Sequence, residues 1–100
     1  MIEKMVKKIV KYYKPEKIIL FGSYAYGASD SDSDVDLLII KDVDLPRYQR
    51  GKYIRKFLTE FRFPKDIIIY TPEEVKKWED CPLAFITYIM KKGIILYEKN

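Results

Sequence analysis

Histidine is missing from this 100-residue sequence, and cysteine occurs once, as Cys81. Without an imidazole, neither Ser-His-Asp nor Cys-His catalysis can be assembled, and zinc sites built on histidine are excluded. A single cysteine permits no internal disulfide and no cage of thiolates around a metal. Long apolar runs are missing too, since none approaches the roughly 20 residues that span a bilayer. The opening Met1-Ile2-Glu3-Lys4-Met5 has neither the apolar stretch nor the small-residue cleavage site of a secretory signal. The expectation is a cytoplasmic chain with no membrane association. Its chemistry has to run on carboxylates, hydroxyls, lysine, arginine and metals that prefer oxygen.

The composition is that of an ordinary globular protein, 48% apolar and 34% charged. One hundred residues suffice for one hydrophobic core and not for two, so residues 1–100 are expected to form a single domain. The net charge of +4 invites a nucleic-acid reading. Much of it, however, falls in one amphipathic pattern (Lys4, Lys7, Lys8, Lys11, Lys14), which reads as a solvated helix face. Direct nucleic-acid binding is therefore not expected.

Ile2, Met5, Val6, Ile9, Val10 and Tyr13 recur at helical spacing and predict a helix over 2–13, ended by Pro15. KIILF (17–21) and VDLLII (35–40) read as buried strands, separated by a Gly/Ser/Asp/Ala loop with one helical turn near Tyr24. A helix is predicted from Pro46 to about Phe61, then a strand over 66–70. Thr71-Pro72-Glu73-Glu74 has the features of a helix start: a Thr N-cap, proline at the first position and acids facing the dipole. Leu83–Lys92 reads as a helix stopped at Gly93, and Ile94–Tyr97 as a fourth strand. The expected class is α/β (α+β), one small mixed sheet with helices packed on it.

The order of elements gathers polar residues. A helical crossover between the second and third strands makes them parallel, so their starts lie together. Asp34 and Asp36 lead one and Asp66 the other, while the short return from the first strand brings Gly22-Ser23 to the same edge. Two residues apart in a strand, Asp34 and Asp36 project from one face. Carboxylates held together repel unless a cation lies between them, and Mg²⁺ takes one or two carboxylates plus substrate phosphates. Such a trio suits in-line displacement at phosphorus, or the removal of a proton from an attacking hydroxyl. Gly22 permits close approach of a phosphate, to which Ser23 and neighbouring N–H groups can donate.

Gly22-Ser23, ten intervening residues and Asp34-Val35-Asp36 resemble the Gly-Ser-x10-Asp-x-Asp signature of the minimal nucleotidyltransferase (MNT) group, within the DNA polymerase beta-like nucleotidyltransferase superfamily. KIILFGSYAYG, DVDLLII, DIIIY, TPEE and the ending GIILYEKN agree with it, so the resemblance covers nearly the whole chain. It implies a nucleotidyltransferase fold and transfer of AMP from ATP with Mg²⁺. Gly22 and Ser23 would hold the triphosphate. Asp34 and Asp36 would hold metal, and Asp66 would take the acceptor's proton or a metal. Many MNT relatives are antitoxins that inactivate a HEPN-domain RNase toxin by adding AMP to a tyrosine, which implies such a partner here.

Other readings are weaker. An EF-hand loop needs glycine at position six and an acid at twelve, but counting from Asp30 gives Val35 and Lys41, and from Asp32 gives Leu37 and Val43. Asp30 and Asp32 are taken as solvated loop acids. Whether Tyr24, Tyr26 or the basic group Arg47, Arg50, Lys52, Arg55 meets substrate is left open, with packing for the tyrosines and a solvated face for the basic group as defaults. Trp78 and Phe85 read as core or interface aromatics. Two alternative functions stand beside protein AMP transfer: a transferase acting on a small molecule such as an aminoglycoside, and a toxin-binding module without catalysis.

Overall fold

The computed structural model describes residues 2–27, 34–56, 58–78, 81 and 84–99. Along the chain run α1 (Ile2–Tyr13), β1 (Lys17–Phe21), β2 (Val35–Ile40), α2 (Arg47–Lys56), β3 (Lys65–Tyr70), α3 (Pro72–Trp78), α4 (Phe85–Lys92) and β4 (Ile94–Glu98). The strands form one sheet in the order β3-β2-β1-β4. β1 is antiparallel to β2 and to β4, whereas β2 and β3 are parallel, as the crossover through α2 requires. The expected α/β class with one mixed sheet is what the chain adopts. No helix among the described residues is long and apolar enough to cross a membrane.

Alternation along the strands divides the core between the two faces of the sheet. On one face Ile18, Leu20, Val35, Leu37, Ile39 and Ile69 pack against Met5, Val6, Ile9 and Tyr13 of α1, with Ile54 of α2 and Leu58 beyond it. On the other, Ile19, Phe21, Leu38 and Ile40 pack against Ile86 and Ile89 of α4. β1 and β2 are buried on both faces, which explains their continuous apolar sequences.

Three expectations need correction. α2 ends at Lys56 rather than near Phe61, the chain continuing through tight turns such as Leu58 N–H to the Arg55 carbonyl at 3.2 Å. Gly93 caps α4 by donating to the Ile89 carbonyl, but its backbone is extended (φ −72°) and not left-handed. Glycine fits there because a Cβ would lie 2.7 Å from the Ile89 oxygen and 3.0 Å from that of Leu20. The third concerns Arg50, expected on a solvated face and in fact 7% exposed. Its guanidinium donates to the carbonyls of Leu45 (2.8 Å) and Ile69 (3.1 Å) and grips the Glu74 carboxylate at 2.6 and 3.4 Å. The predicted start of α3 is present: the Thr71 hydroxyl accepts from Glu74 N–H at 3.2 Å, and Glu74 accepts from Thr71 N–H at 2.8 Å.

Arg50 thus ties α2, the end of β3 and the cap of α3 together. Arg50→Ala takes one donor from each of two carbonyls and removes the charged partner of the half-buried Glu74 carboxylate. It should cost about 2–3 kcal/mol, below the figure for a fully buried pair because Glu74 keeps some contact with water. Arg50→Lys should recover little, since an ammonium cannot reproduce the fork. Urea unfolding checks both, and a loss within experimental error would remove Arg50 from the framework.

Candidate functional site

The sheet register decides what meets at the edge where β1 ends and β2 and β3 begin. Phe21 lies opposite Asp36 across the antiparallel pair, and Asp36 lies beside Asp66 across the parallel one. Asp36 alternates with the buried Leu37 and so projects from the face that carries Phe21, Leu38 and α4. Asp66, two residues before Ile68, projects from that same face of β3. Asp34 is exposed just before β2, and the backbone is pinned there by Val35 N–H donating to the Pro64 carbonyl at 3.0 Å. The three carboxylates foreseen at one edge are brought to one edge.

Their mutual effect falls on Asp36. Its carboxyl is raised above the ordinary aspartate range, first by desolvation, then by the negative charges of Asp66 and Asp34. A carboxyl with a raised folded-state pKa binds its proton more readily in the folded than in the unfolded chain. Its contribution to stability is therefore present at acid pH and lost as pH rises through the interval above the usual aspartate value. Without metal, Asp36→Asn should melt slightly above the original protein at neutral pH, and the gap should close as the buffer is taken below the ordinary carboxylate range. Thermal melts in chelator across that range check it, and a gap that ignores pH would refute the charge explanation.

Gly22 closes the edge from the β1 side. It has φ +77°, and a Cβ there would overlap the Asp36 carboxylate, with Asp36 Cγ only 3.1 Å away. Behind it the chain makes the expected helical turn: the Gly22 carbonyl accepts from Ala25 and Tyr26 N–H at 3.0 and 3.2 Å, and the Ser23 carbonyl from Tyr26 N–H at 3.3 Å. In such a turn the first amides point back toward its start, the direction of Gly22 and the strand end. Ser23 is partly exposed in that turn.

The donors are oxygen throughout, which suits Mg²⁺ and not zinc. Among the described residues no three acidic or cysteine side chains converge tightly enough to enclose an ion unaided. A cavity of about 520 Å³ opens among Glu16, Lys17, Ile40, Pro72 and Glu98, at the opposite end of the strands. Lys17 is paired there with Glu98 at 2.8 Å, and none of the three clustered aspartates lines it.

Tyr24 turns into the core on the α1 face. Tyr26 is exposed and meets Tyr88 of α4 edge to face, with ring centres 6.2 Å apart. Phe85 and Trp78 are 57% and 40% exposed, which sets aside the core half of the core-or-interface reading for both. Tyr88, exposed beside the turn, is the residue that sequence reasoning passed over. The only signal was that Phe85 and Tyr88 repeat the three-residue spacing of the buried Ile86 and Ile89, so one of the two stripes had to face outward. Asp30 and Asp32 lie outside the described residues.

Residues 3–100 match the sequence family described as Polymerase beta, Nucleotidyltransferase. "Putative protein adenylyltransferase MJ0604" of Methanocaldococcus jannaschii is 30% identical over 103 aligned residues, covering 95% of this chain and 97% of that protein. A second protein of that organism with the same description, MJ1305, is 51% identical over 88 residues, covering 83% of this chain and 58% of its own length. Among solved structures, one described as a putative nucleotidyltransferase from Sulfolobus solfataricus superposes with a TM-score of 0.69 at 18% identity, over 98% of this chain and 78% of that one. A toxin–antitoxin structure with AMP-PNP gives 0.68 at 18% identity, over 100% and 76%. At this identity the structural matches speak for the fold.

Proposed function

Because the chain belongs to the polymerase beta nucleotidyltransferase family and is a nucleotidyltransferase, we propose that it is a Mg²⁺-dependent protein adenylyltransferase, an antitoxin that moves AMP from ATP to a tyrosine of a HEPN-type RNase toxin. The observation that carries this reading is the placing of Asp36 beside Asp66 in register, with Gly22 against the Asp36 carboxylate. Residues 1–100 act as one nucleotidyltransferase domain. The name of the M. jannaschii relative supports a protein acceptor, and the toxin–antitoxin fold neighbour supports a toxin as that protein.

In this reading Gly22 and Ser23 hold the triphosphate, the one by leaving room and the other by donating its hydroxyl and the amides of its turn. Asp34 and Asp36 would hold Mg²⁺ beside the triphosphate. When bound, the ion neutralises phosphate charge and favours departure of pyrophosphate. Asp66, exposed on the outer strand, takes the acceptor's proton. The acceptor oxygen forms a bond to the α-phosphorus, the bond from that phosphorus to the bridging oxygen breaks, and pyrophosphate leaves.

The acceptor is tested by incubating the protein with ATP, Mg²⁺ and the protein that co-purifies with it from its source. Peptide mapping should find AMP on a tyrosine of that partner. Transfer only to small alcohols or aminoglycosides, with the partner unmodified, would support the small-molecule alternative instead.

A further inference from the structure

Nucleotidyl transfer needs a place for the nucleoside as well as for its phosphates, and the carboxylate face offers one. Phe85, at the start of α4, stands edge-on to Phe21 with ring centres 5.7 Å apart, and Phe21 is the cross-strand neighbour of Asp36. Facing neighbours on an antiparallel pair lie about 5 Å apart, so Phe85 is one ring removed from the clustered acids. Beyond it runs a groove of about 250 Å³ lined by Tyr70, Trp78, Ala84, Phe85 and Ile86. Its floor belongs to the face that carries Asp66, and its far limit is Tyr70 at the other end of β3 beside Ile40, four residues and roughly 13 Å by strand rise from Asp66. Trp78 at the end of α3 and Phe85 at the start of α4 are left more than a third exposed there, although α4 buries Ile86 and Ile89.

We infer that the groove between Trp78 and Phe85 receives the nucleobase of the triphosphate. The inference rests on the nucleotide site proposed above and extends it. A base is joined to the α-phosphate through a single ribose, so it has to lodge near the carboxylates and on their side of the sheet. Tyr24, the tyrosine nearest Gly22 in sequence, is committed to the opposite face. A slot bounded by flat rings suits a planar heterocycle, and stacking a base on an aromatic side chain is a substantial part of nucleotide affinity.

Two ligands separate the base from the phosphates: a non-hydrolysable adenosine triphosphate analogue and inorganic tripolyphosphate, each measured by calorimetry with Mg²⁺. In Phe85→Ala the analogue should bind roughly tenfold or more weakly while tripolyphosphate binds as before, and Phe85→Tyr should keep the affinity of the original protein. Trp78 is the chain's one tryptophan, so its fluorescence reports on the groove directly. The analogue should quench it and tripolyphosphate should not, a readout that stands even if Phe85→Ala folds poorly. Unchanged analogue affinity in Phe85→Ala overturns the inference, as does an equal loss for both ligands. A rise only in the KM for the protein acceptor would assign the groove to the acceptor and overturn it too. If the original protein binds neither ligand, the nucleotide site itself is wrong.

Discussion

Asp36→Asn should abolish nucleotidyl transfer while leaving the fold intact. The asparagine keeps the shape of the side chain, but a neutral amide oxygen cannot hold Mg²⁺ against the charge of a triphosphate. Metal-based stabilisation of the transition state amounts to several kcal/mol, so the rate should fall roughly a thousandfold or more. The register explains why Asp36 matters most: it stands between Phe21 and Asp66 and is the acid whose carboxyl both neighbouring acids push upward. Asp34→Asn should behave alike, and Ser23→Ala should weaken activity less, through one lost phosphate contact. A melting temperature at or above that of the original protein would separate this loss from unfolding. Full activity in Asp36→Asn, measured as pyrophosphate release with the acceptor present, would overturn the metal assignment.

Gly22→Ala should damage both stability and activity. At φ +77° any side chain costs about 1–2 kcal/mol, and the added methyl would collide with the Asp36 carboxylate. Together these should lower stability by about 2–4 kcal/mol, and the displaced Asp36 should take activity with it. Gly27 supplies the control. It has almost the same backbone angle, φ +73°, but a Cβ there would meet nothing within 4 Å. Gly27→Ala should cost only the conformational part, about 1 kcal/mol, and retain transfer. Chemical denaturation of both variants measures the difference. Equal costs would mean that Asp36 does not crowd Gly22.

The contrast between these glycines also marks what the sequence could and could not disclose. The bounds of α1, β1 and β2 were readable because their apolar residues follow a single period without interruption. The gathering of Asp34, Asp36, Asp66 and Gly22-Ser23 was readable because a helical crossover leaves two strands little choice but to run parallel. The role of Arg50 was not. RYQRGKYIRK has no apolar stripe, and nothing in the local pattern tells a buried guanidinium from a solvated one. Its partner Glu74 is 24 residues away, and only the packing of α2 against β3 brings them together. Phe85 stays undecided between core and interface for a related reason: in FITYI every position except the threonine is apolar or aromatic, so periodicity cannot say which side of α4 faces the sheet. Ile86 and Ile89 take the inside, and the rings of Phe85 and Tyr88 are left exposed.

The most direct measurement follows the transferred group itself. The original protein and Asp36→Asn are each incubated with ATP labelled at the α-phosphate, with Mg²⁺ and with the partner that co-purifies from the source. The label should appear on the partner with the original protein, vanish when Mg²⁺ is chelated, and be absent with Asp36→Asn. No label on the partner with the original protein, or undiminished label with Asp36→Asn, would contradict a transferase built on this edge of the sheet.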